Sequence, residues 1–265
     1  MSERTGVIYG MRNQDYHSGQ EVSNSALSAA CRSMKHYQAY RKYGSDIAPK
    51  TALDGNIIHC AILEPAEFDL RYVVAPKFDM RTTIGKAGSA EFEALANGRE
   101  RITLEQYEMA MGAQANVFAS DFYKEFMAGT GFPEVSFFWE DSESGLKCRC
   151  RPDWWGGSHV VDVKSTEDCR QFQKSVLNYG YHRQESFYRS GMWANKMEVD
   201  LFFFLAIEKK PPYDFMVFQL DDELLQVAEG QIRGALNAVA LADFTGEYPG
   251  YDHSVQVINK PAWIL

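Results

Sequence analysis

The chain has 265 residues, 45% of them hydrophobic, and a formal net charge of −9. That is enough for a full core, in one large domain or two small ones, and the absence of repeats, low-complexity tracts or Pro/Ser linkers favours a single domain over residues 1–265. The acidic balance excludes a nonspecific nucleic-acid coat protein, which would be broadly basic, but not an enzyme that grips DNA through local cation clusters.

Taken in chain order, Val22-Ser23-Asn24-Ser25 reads as a capped helix start, and the pattern predicts a helix to about Tyr43 ending at Gly44. Its second half, from Arg32 to Tyr43, interleaves cations and aromatics, as a nucleic-acid surface or an ordinary amphipathic helix would. Residues 51–63 read as a second helix stopped by Pro65. His59 sits there among Ile57, Ile58, Cys60, Ala61 and Ile62, either as a core histidine or as a ligand. Residues 72–75 suit a short strand. Residues 77–88, with Arg81, Gly85, Lys86 and Gly88, read as a mobile loop, either solvated or touching DNA through Arg81 and Lys86. Thr103-Leu104-Glu105-Gln106 fits a capping box. The helix behind it carries Leu104, Tyr107, Met111, Ala115, Phe118 and Phe122 at helical steps.

The pattern then changes. Residues 134–139, 146–151 and 158–164 predict three strands joined by short turns as an antiparallel meander. Phe172, Val176 and Leu177 begin a helical region that continues over 181–195. The unbroken apolar run 201–207 predicts a fully buried strand. Residues 215–220 follow as another strand after Pro211-Pro212, and 221–244 as a closing helix. The order is that of an α/β protein with extra helices at the front.

The chemistry is concentrated in the third strand and the turn before it. Asp153 ends one apolar run. After Gly156-Gly157, Asp162 and Lys164 stand two apart, so a strand points both to one face while Val161 and Val163 pack on the other. Two carboxylates and an ammonium converging there suit a hard divalent cation and a phosphodiester. Carboxylates about 4 Å apart would repel by roughly 4 kcal/mol at an effective dielectric near 20, which favours a bound cation. The carbonyl of Val163 can add an oxygen ligand, and Glu134 can hold water or a second metal. Lys164 can orient the attacking water or stabilise phosphoryl charge. On the following helix Gln184 and Tyr188 are four apart and share a face. Arg183, beside them, joins Arg81 and Lys86 as a candidate DNA contact.

Pro152-Asp153, Asp162-Val163-Lys164 and Gln184-x-x-x-Tyr188 together resemble the PD-(D/E)xK nuclease superfamily. Within it the chain is most similar to RecE-type (exodeoxyribonuclease VIII-like) exonucleases, relatives of RecB-type nuclease domains and lambda-type exonucleases. The likeness takes in Tyr16-His17, Val22-Ser23-Asn24-Ser25, Ser33-Met34-Lys35-His36-Tyr37, Gly55-Asn56-Ile57-Ile58-His59, Leu63-Glu64-Pro65 and Trp263. It implies an αβββαβ core with a mixed sheet and added N-terminal helices. It implies Mg2+-dependent, ATP-independent, 5′-to-3′ degradation of one strand of duplex DNA from an end, with Mn2+ as a possible substitute. His59, Asp153, Asp162 and the Val163 carbonyl become metal ligands and Lys164 the catalytic lysine. Gln184 and Tyr188 match the branch's helical motif, and Glu134 an acid near a second metal position. The family also implies a homo-oligomeric ring and a RecT-type single-strand annealing partner in bacterial or phage recombination. Two features depart from the pattern: Ile57 and Ile58 are bulkier than the usual turn before the histidine, and Trp154-Trp155 suits base stacking or core packing.

Five cysteines, Cys31, Cys60, Cys148, Cys150 and Cys169, argue against a disulfide framework. Cys148 and Cys150 are spaced as strand neighbours rather than as a zinc knuckle. With none after Cys169, the iron–sulfur variant of such nucleases is not expected. No run approaches the roughly 20 apolar residues of a membrane span, and residues 1–10 lack a signal-peptide pattern, so a cytoplasmic protein is expected.

Overall fold

The structure is a computed structural model, and it describes residues 4–44 and 49–259. Trp263 lies outside them. The chain opens with β1 (Gly6–Ile8) and a short α1 (Asn13–His17). The helix expected up to Tyr43 is two helices, α2 (Asn24–Arg32) and α3 (Met34–Tyr43). Ser33 separates them in an extended conformation, with its Oγ accepting the His36 N–H at 3.3 Å. A hydroxyl that caps a new helix ends the old one, and the apolar periodicity continues across the break without recording it.

Next come α4 (Pro49–Leu63), α5 (Phe68–Arg71) and β2 (Tyr72–Val74). The segment expected as a mobile loop is half helix: α6 (Thr83–Ala96) starts inside it. Thr82 caps α6 by accepting the Gly85 N–H at 2.9 Å. Gly85 is there for space, since a Cβ would lie 2.1 Å from the Asp79 carbonyl oxygen. The glycines that suggested a loop allow a close helix start instead. Then follow β3 (Glu100–Ile102) and α7 (Leu104–Ala119), which carries the expected capping box at Thr103 and Gln106. Ser120 ends α7 and caps a separate α8 (Asp121–Phe126), so Phe122 belongs to a second helix.

The strand region holds β4 (Phe132–Pro133), β5 (Ser136–Glu140), β6 (Lys147–Cys150), β7 (Trp154–Trp155) and β8 (His159–Thr166). After it come α9 (Phe172–Tyr179), α10 (Tyr181–Ala194), β9 (Leu201–Glu208), β10 (Phe215–Phe218) and α11 (Asp222–Thr245). Among the described residues, a five-stranded sheet runs β10-β9-β8-β7-β4, a three-stranded sheet β1-β5-β6, and β2 pairs with β3. Only β8–β9 is parallel in the largest sheet, reached through the α9–α10 crossover. The succession α4, β5, β6, β8, α10, β9 follows the expected αβββαβ order, with β5 and β6 in the three-stranded sheet and β8 and β9 in the mixed five-stranded one.

The meander itself is modified. β5 and β6 pair antiparallel as expected. The second strand then bends at Arg151-Pro152-Asp153 and resumes as β7 in the other sheet, where it pairs with β8. Pro152 has no N–H to continue a ladder, so a strand is readily broken there.

Strand alternation sorts the core into two layers. Val161 and Val163 of β8, with Phe203, Leu205 and Ile207 of β9, pack under Ile58 and Ile62 of α4. Val160, Phe202, Phe204 and Ala206 face the opposite way, toward Phe187 of α10 and Ile232, Leu236 and Val239 of α11. Each fully buried side chain of this size contributes roughly 1.5–3 kcal/mol. Ile57 and Ile58, bulky for the family pattern, are wholly buried in different clusters. Trp155 is also a core residue, and Trp154 Nε1 donates to the Phe126 carbonyl, so both serve packing and not base stacking. Cys148 and Cys150 face the same core, as strand neighbours should. No helix among the described residues is long and apolar enough to cross a membrane.

Candidate active site

The bend at Pro152 creates the site. β7 pairs with β8 through Trp154 and Val161 and then turns away, leaving the next stretch of the β8 edge without a backbone partner from β7. Asp153 fills that place with its side chain: Oδ2 accepts the Val163 N–H at 2.7 Å. In an extended strand the N–H and C=O of one residue point the same way, so the Val163 carbonyl faces the opened edge beside Asp153. Glu134 is tied to the same point, donating its N–H to the Asp153 carbonyl at 3.0 Å. The residue takes a left-handed φ of 49°, which ends the approach to β5 two residues later than the sequence suggests.

Asp162 and Lys164 project together from β8, as the two-residue spacing requires. The Lys164 ammonium forms an ion pair with Asp162 Oδ2. Asp162 is almost wholly buried, and its Oδ1 accepts from Gln184 Nε2 at 2.7 Å. Apart from the ion pair, Oδ2 accepts no hydrogen bond. Gln184 reaches it from α10, which starts after the left-handed Gly180 and packs Phe187 on the same face of the sheet as Val160, Phe202 and Phe204. Tyr188, one turn on, lies near enough to Asp162 and Asp153 to feel their charge, and burial pushes its phenol well above the usual value. From α4, on the opposite face of the sheet, His59 Nδ1 stands 3.6 Å from Asp153 Oδ2.

The electrostatics follow from this crowding. Burial pushes the Asp153 carboxyl up to about 6, with Asp162 adding to the rise and His59 and Lys164 opposing it. Burial alone would lower Lys164, but the charges of Asp162 and Asp153 outweigh it and hold the ammonium above its ordinary value. The lysine is therefore a fixed cation at the site. Among the described residues no group of three or more His, Cys, Asp and Glu side chains is gathered to hold a metal. The donors that fit a hard divalent cation are mixed: two carboxylates, one imidazole and the backbone carbonyl at the opened edge. The Asp162 oxygen that accepts nothing but an ion pair is the observation that most favours that fit.

His59 and Glu134 also line a cavity of about 730 Å³ with Tyr9, Arg12, Asn56 and Phe132. Glu134 lies 3.4 Å from Arg151 Nη1. The remaining expected residues are elsewhere. Arg81 pairs with Asp79 just before α6, and Lys86 lies exposed on that helix. Arg183 donates to Gln231 of α11 at 3.2 Å, on the side of α10 away from Gln184. A helix turns about 100° per residue, so adjacency to Gln184 in sequence separates the two in space.

Three residues near the site carried no sequence assignment. Tyr181 places its ring 4.8 Å from Lys164 Nζ. Arg151 holds Ser136 Oγ and the Met11 carbonyl and lies 4.0 Å from the Tyr16 ring centroid. Glu185 is buried beside Arg189, and burial lifts its carboxyl to about 7. Their roles depend on long-range contacts that no local spacing encodes.

The same architecture occurs in the crystal structure of a "Putative exonuclease" from Eubacterium rectale, at 16% identity, 96% coverage of both chains and a TM-score of 0.64. The comparison with curated proteins found no match. The PDDEXK-like domain of unknown function (DUF3799) matches residues 23–261, which span the bend, β8 and α10. The chain therefore belongs to that PDDEXK-like family and carries the PD-(D/E)xK fold.

Proposed function

We propose that the chain is a single-domain, metal-dependent DNA exonuclease. The observation that carries this reading is the opened edge of β8, where Asp153, Asp162, Lys164 and the Val163 carbonyl meet. His59 completes a ligand set for Mg2+, or Mn2+, with Asp153, Asp162 and the Val163 carbonyl. A bound divalent cation would supply Lewis acidity toward the scissile phosphate and its attacking water.

The protein's own groups do the rest. Gln184 fixes the Asp162 carboxylate by its amide hydrogen bond. Lys164, held charged, stabilises negative charge building on the phosphoryl oxygens. The Tyr188 phenol stays protonated and can donate toward the same oxygens. Glu134 orients water at the cavity wall, and His59 borders both the cavity and Asp153. The exonuclease name of the Eubacterium rectale protein, a neighbour of the same fold, supports this reading. By resemblance to RecE-type enzymes, the substrate is a duplex DNA end, the direction is 5′-to-3′ without ATP, and a homo-oligomeric ring works with a RecT-type annealing protein. Arg81 and Lys86 are proposed as outlying DNA contacts. Arg183, turned toward Gln231, is not proposed again.

The test is Mg2+-dependent release of nucleotides from linear duplex DNA, with Asp162→Ala as control. The reading expects release from linear DNA, none from closed circles, and none from the variant. Cutting of circles would make the protein an endonuclease on this core. End binding without release by either protein would leave a silent scaffold.

A further inference from the structure

The cavity beside the site is lined by two unlike kinds of group: the imidazole of His59 and the carboxylate of Glu134, and the aromatic rings of Tyr9 and Phe132. The two rings meet edge to face with centroids 4.9 Å apart, yet each is about half exposed, at 49% and 52%. What sets this pair apart from other exposed apolar side chains is its place: two adjoining rings, open to solvent, lining a cavity that also holds His59.

Both rings stand on fixed backbone. Tyr9 directly follows β1, whose Ile8 is paired with Ser136 of β5. Phe132 pairs with Trp155 across β4 and β7. Two residues on, the Glu134 N–H donates to the Asp153 main-chain carbonyl, so the Phe132 strand is tied to the backbone of a site residue. Arg151 fastens the other side, binding the Met11 carbonyl and Ser136 Oγ from the residue that opens the bend. The platform and the site are parts of one rigid junction.

Charge around the cavity does not favour gripping phosphates. Glu64, Glu67 and Glu134 face it, Arg71 is engaged by both carboxylate oxygens of Glu64 at 2.6 and 2.8 Å, and Arg12 is paired with Asp15. An acidic cavity with spent cations recognises a nucleic acid better through base faces than through its backbone, because every base presents a π-face whatever its charge environment.

We propose that Tyr9 and Phe132 form a stacking subsite for an unpaired nucleobase of the DNA strand whose phosphodiester lies at Asp153 and Asp162. This deepens the nuclease reading and rests on it. The subsite holds the strand and takes no part in bond breaking.

The probe is a short single-stranded DNA carrying 2-aminopurine at each of its terminal positions in turn, titrated with protein in Ca2+. Stacking quenches this base. The wild type is expected to quench it at one position near the strand end, and Tyr9→Phe to do the same. Tyr9→Ala and Phe132→Ala, both at exposed positions, should lose the quench and bind roughly five-fold or more weaker each. With Mg2+, KM should rise by a similar factor while kcat stays within about two-fold of wild type. Equal quenching and equal KM in the double alanine variant, with circular dichroism unchanged, would overturn the subsite while leaving the nuclease intact. A wild type that neither binds nor hydrolyses DNA would overturn both.

Discussion

Asp162 is the most constrained residue at the site: buried, paired to Lys164 on one oxygen and held by Gln184 on the other. Replacing Gln184 by Leu leaves that carboxylate with a lost partner in a dry environment. The expected cost is about 1–3 kcal/mol of stability, and a fall in kcat larger than the change in KM. Chemical denaturation and steady-state kinetics measure the two. Lys164→Ala should abolish hydrolysis and leave binding of DNA ends largely intact, because the side chain is paired with Asp162 and does not line the cavity. If that variant is unfolded by circular dichroism, Lys164 is a structural counter-ion only. These residues were legible in the sequence because strand alternation and helix spacing dictate their faces directly. His59 was ambiguous, since an apolar neighbourhood suits a core histidine as well as a ligand; its nearness to Asp153 is decided by how α4 lies on the sheet. Arg183 shows the converse, a cation adjacent in sequence to a site residue and turned away from it by the helix.

At the scale of elements, α4 packs on β8 and β9 through Ile58 and Ile62, and Ile58 is wholly buried. Ile58→Ala should cost about 2–5 kcal/mol, and should lower activity more than a cavity of that size elsewhere because α4 also carries His59. Thermal unfolding and a nuclease assay at a temperature where the variant is folded separate the effects. The turn between β5 and β6 is locked to α11 by Asp141, which meets Arg233 at 2.7 and 2.9 Å. Burial opposes ionisation of Asp141, but Arg233 and Ser144 outweigh it and hold its carboxyl down to about 2. A carboxyl depressed on folding stabilises the folded state above its unfolded value near 3.9, and that stability is lost as pH falls through the folded value. Asp141→Asn should therefore be roughly 2 kcal/mol less stable at pH 7, with the gap narrowing between about pH 4 and pH 2 in urea titrations. The element order was readable from apolar periodicity, and the breaks were not. Ser33 and Ser120 end helices through side-chain caps inside continuous apolar patterns. Pro152 moves a strand between sheets while both halves keep alternating, which is why the meander looked whole.

For the whole molecule, the αβββαβ succession follows from pattern changes along the chain, whereas the opening of the β8 edge depends on sheet pairing that no window of sequence contains. With a net charge of −9, the proposed attraction to DNA would have to come from local cations and from a divalent ion at the site, against an unfavourable overall field. Affinity for DNA ends should still fall as salt rises, since each phosphate contact displaces counterions, and fluorescence anisotropy across a salt series measures the slope. A flat response would argue against phosphate contacts altogether. The proposed chemistry depends most on one arrangement, the junction of Asp153, Asp162 and the Val163 carbonyl as a cation site. Crystals grown with Mn2+ and measured at its absorption edge test it directly. An anomalous peak is expected among those three groups with His59 beside it, lost in Asp162→Ala. A fully folded protein with no peak there, or with its metal held elsewhere, contradicts it.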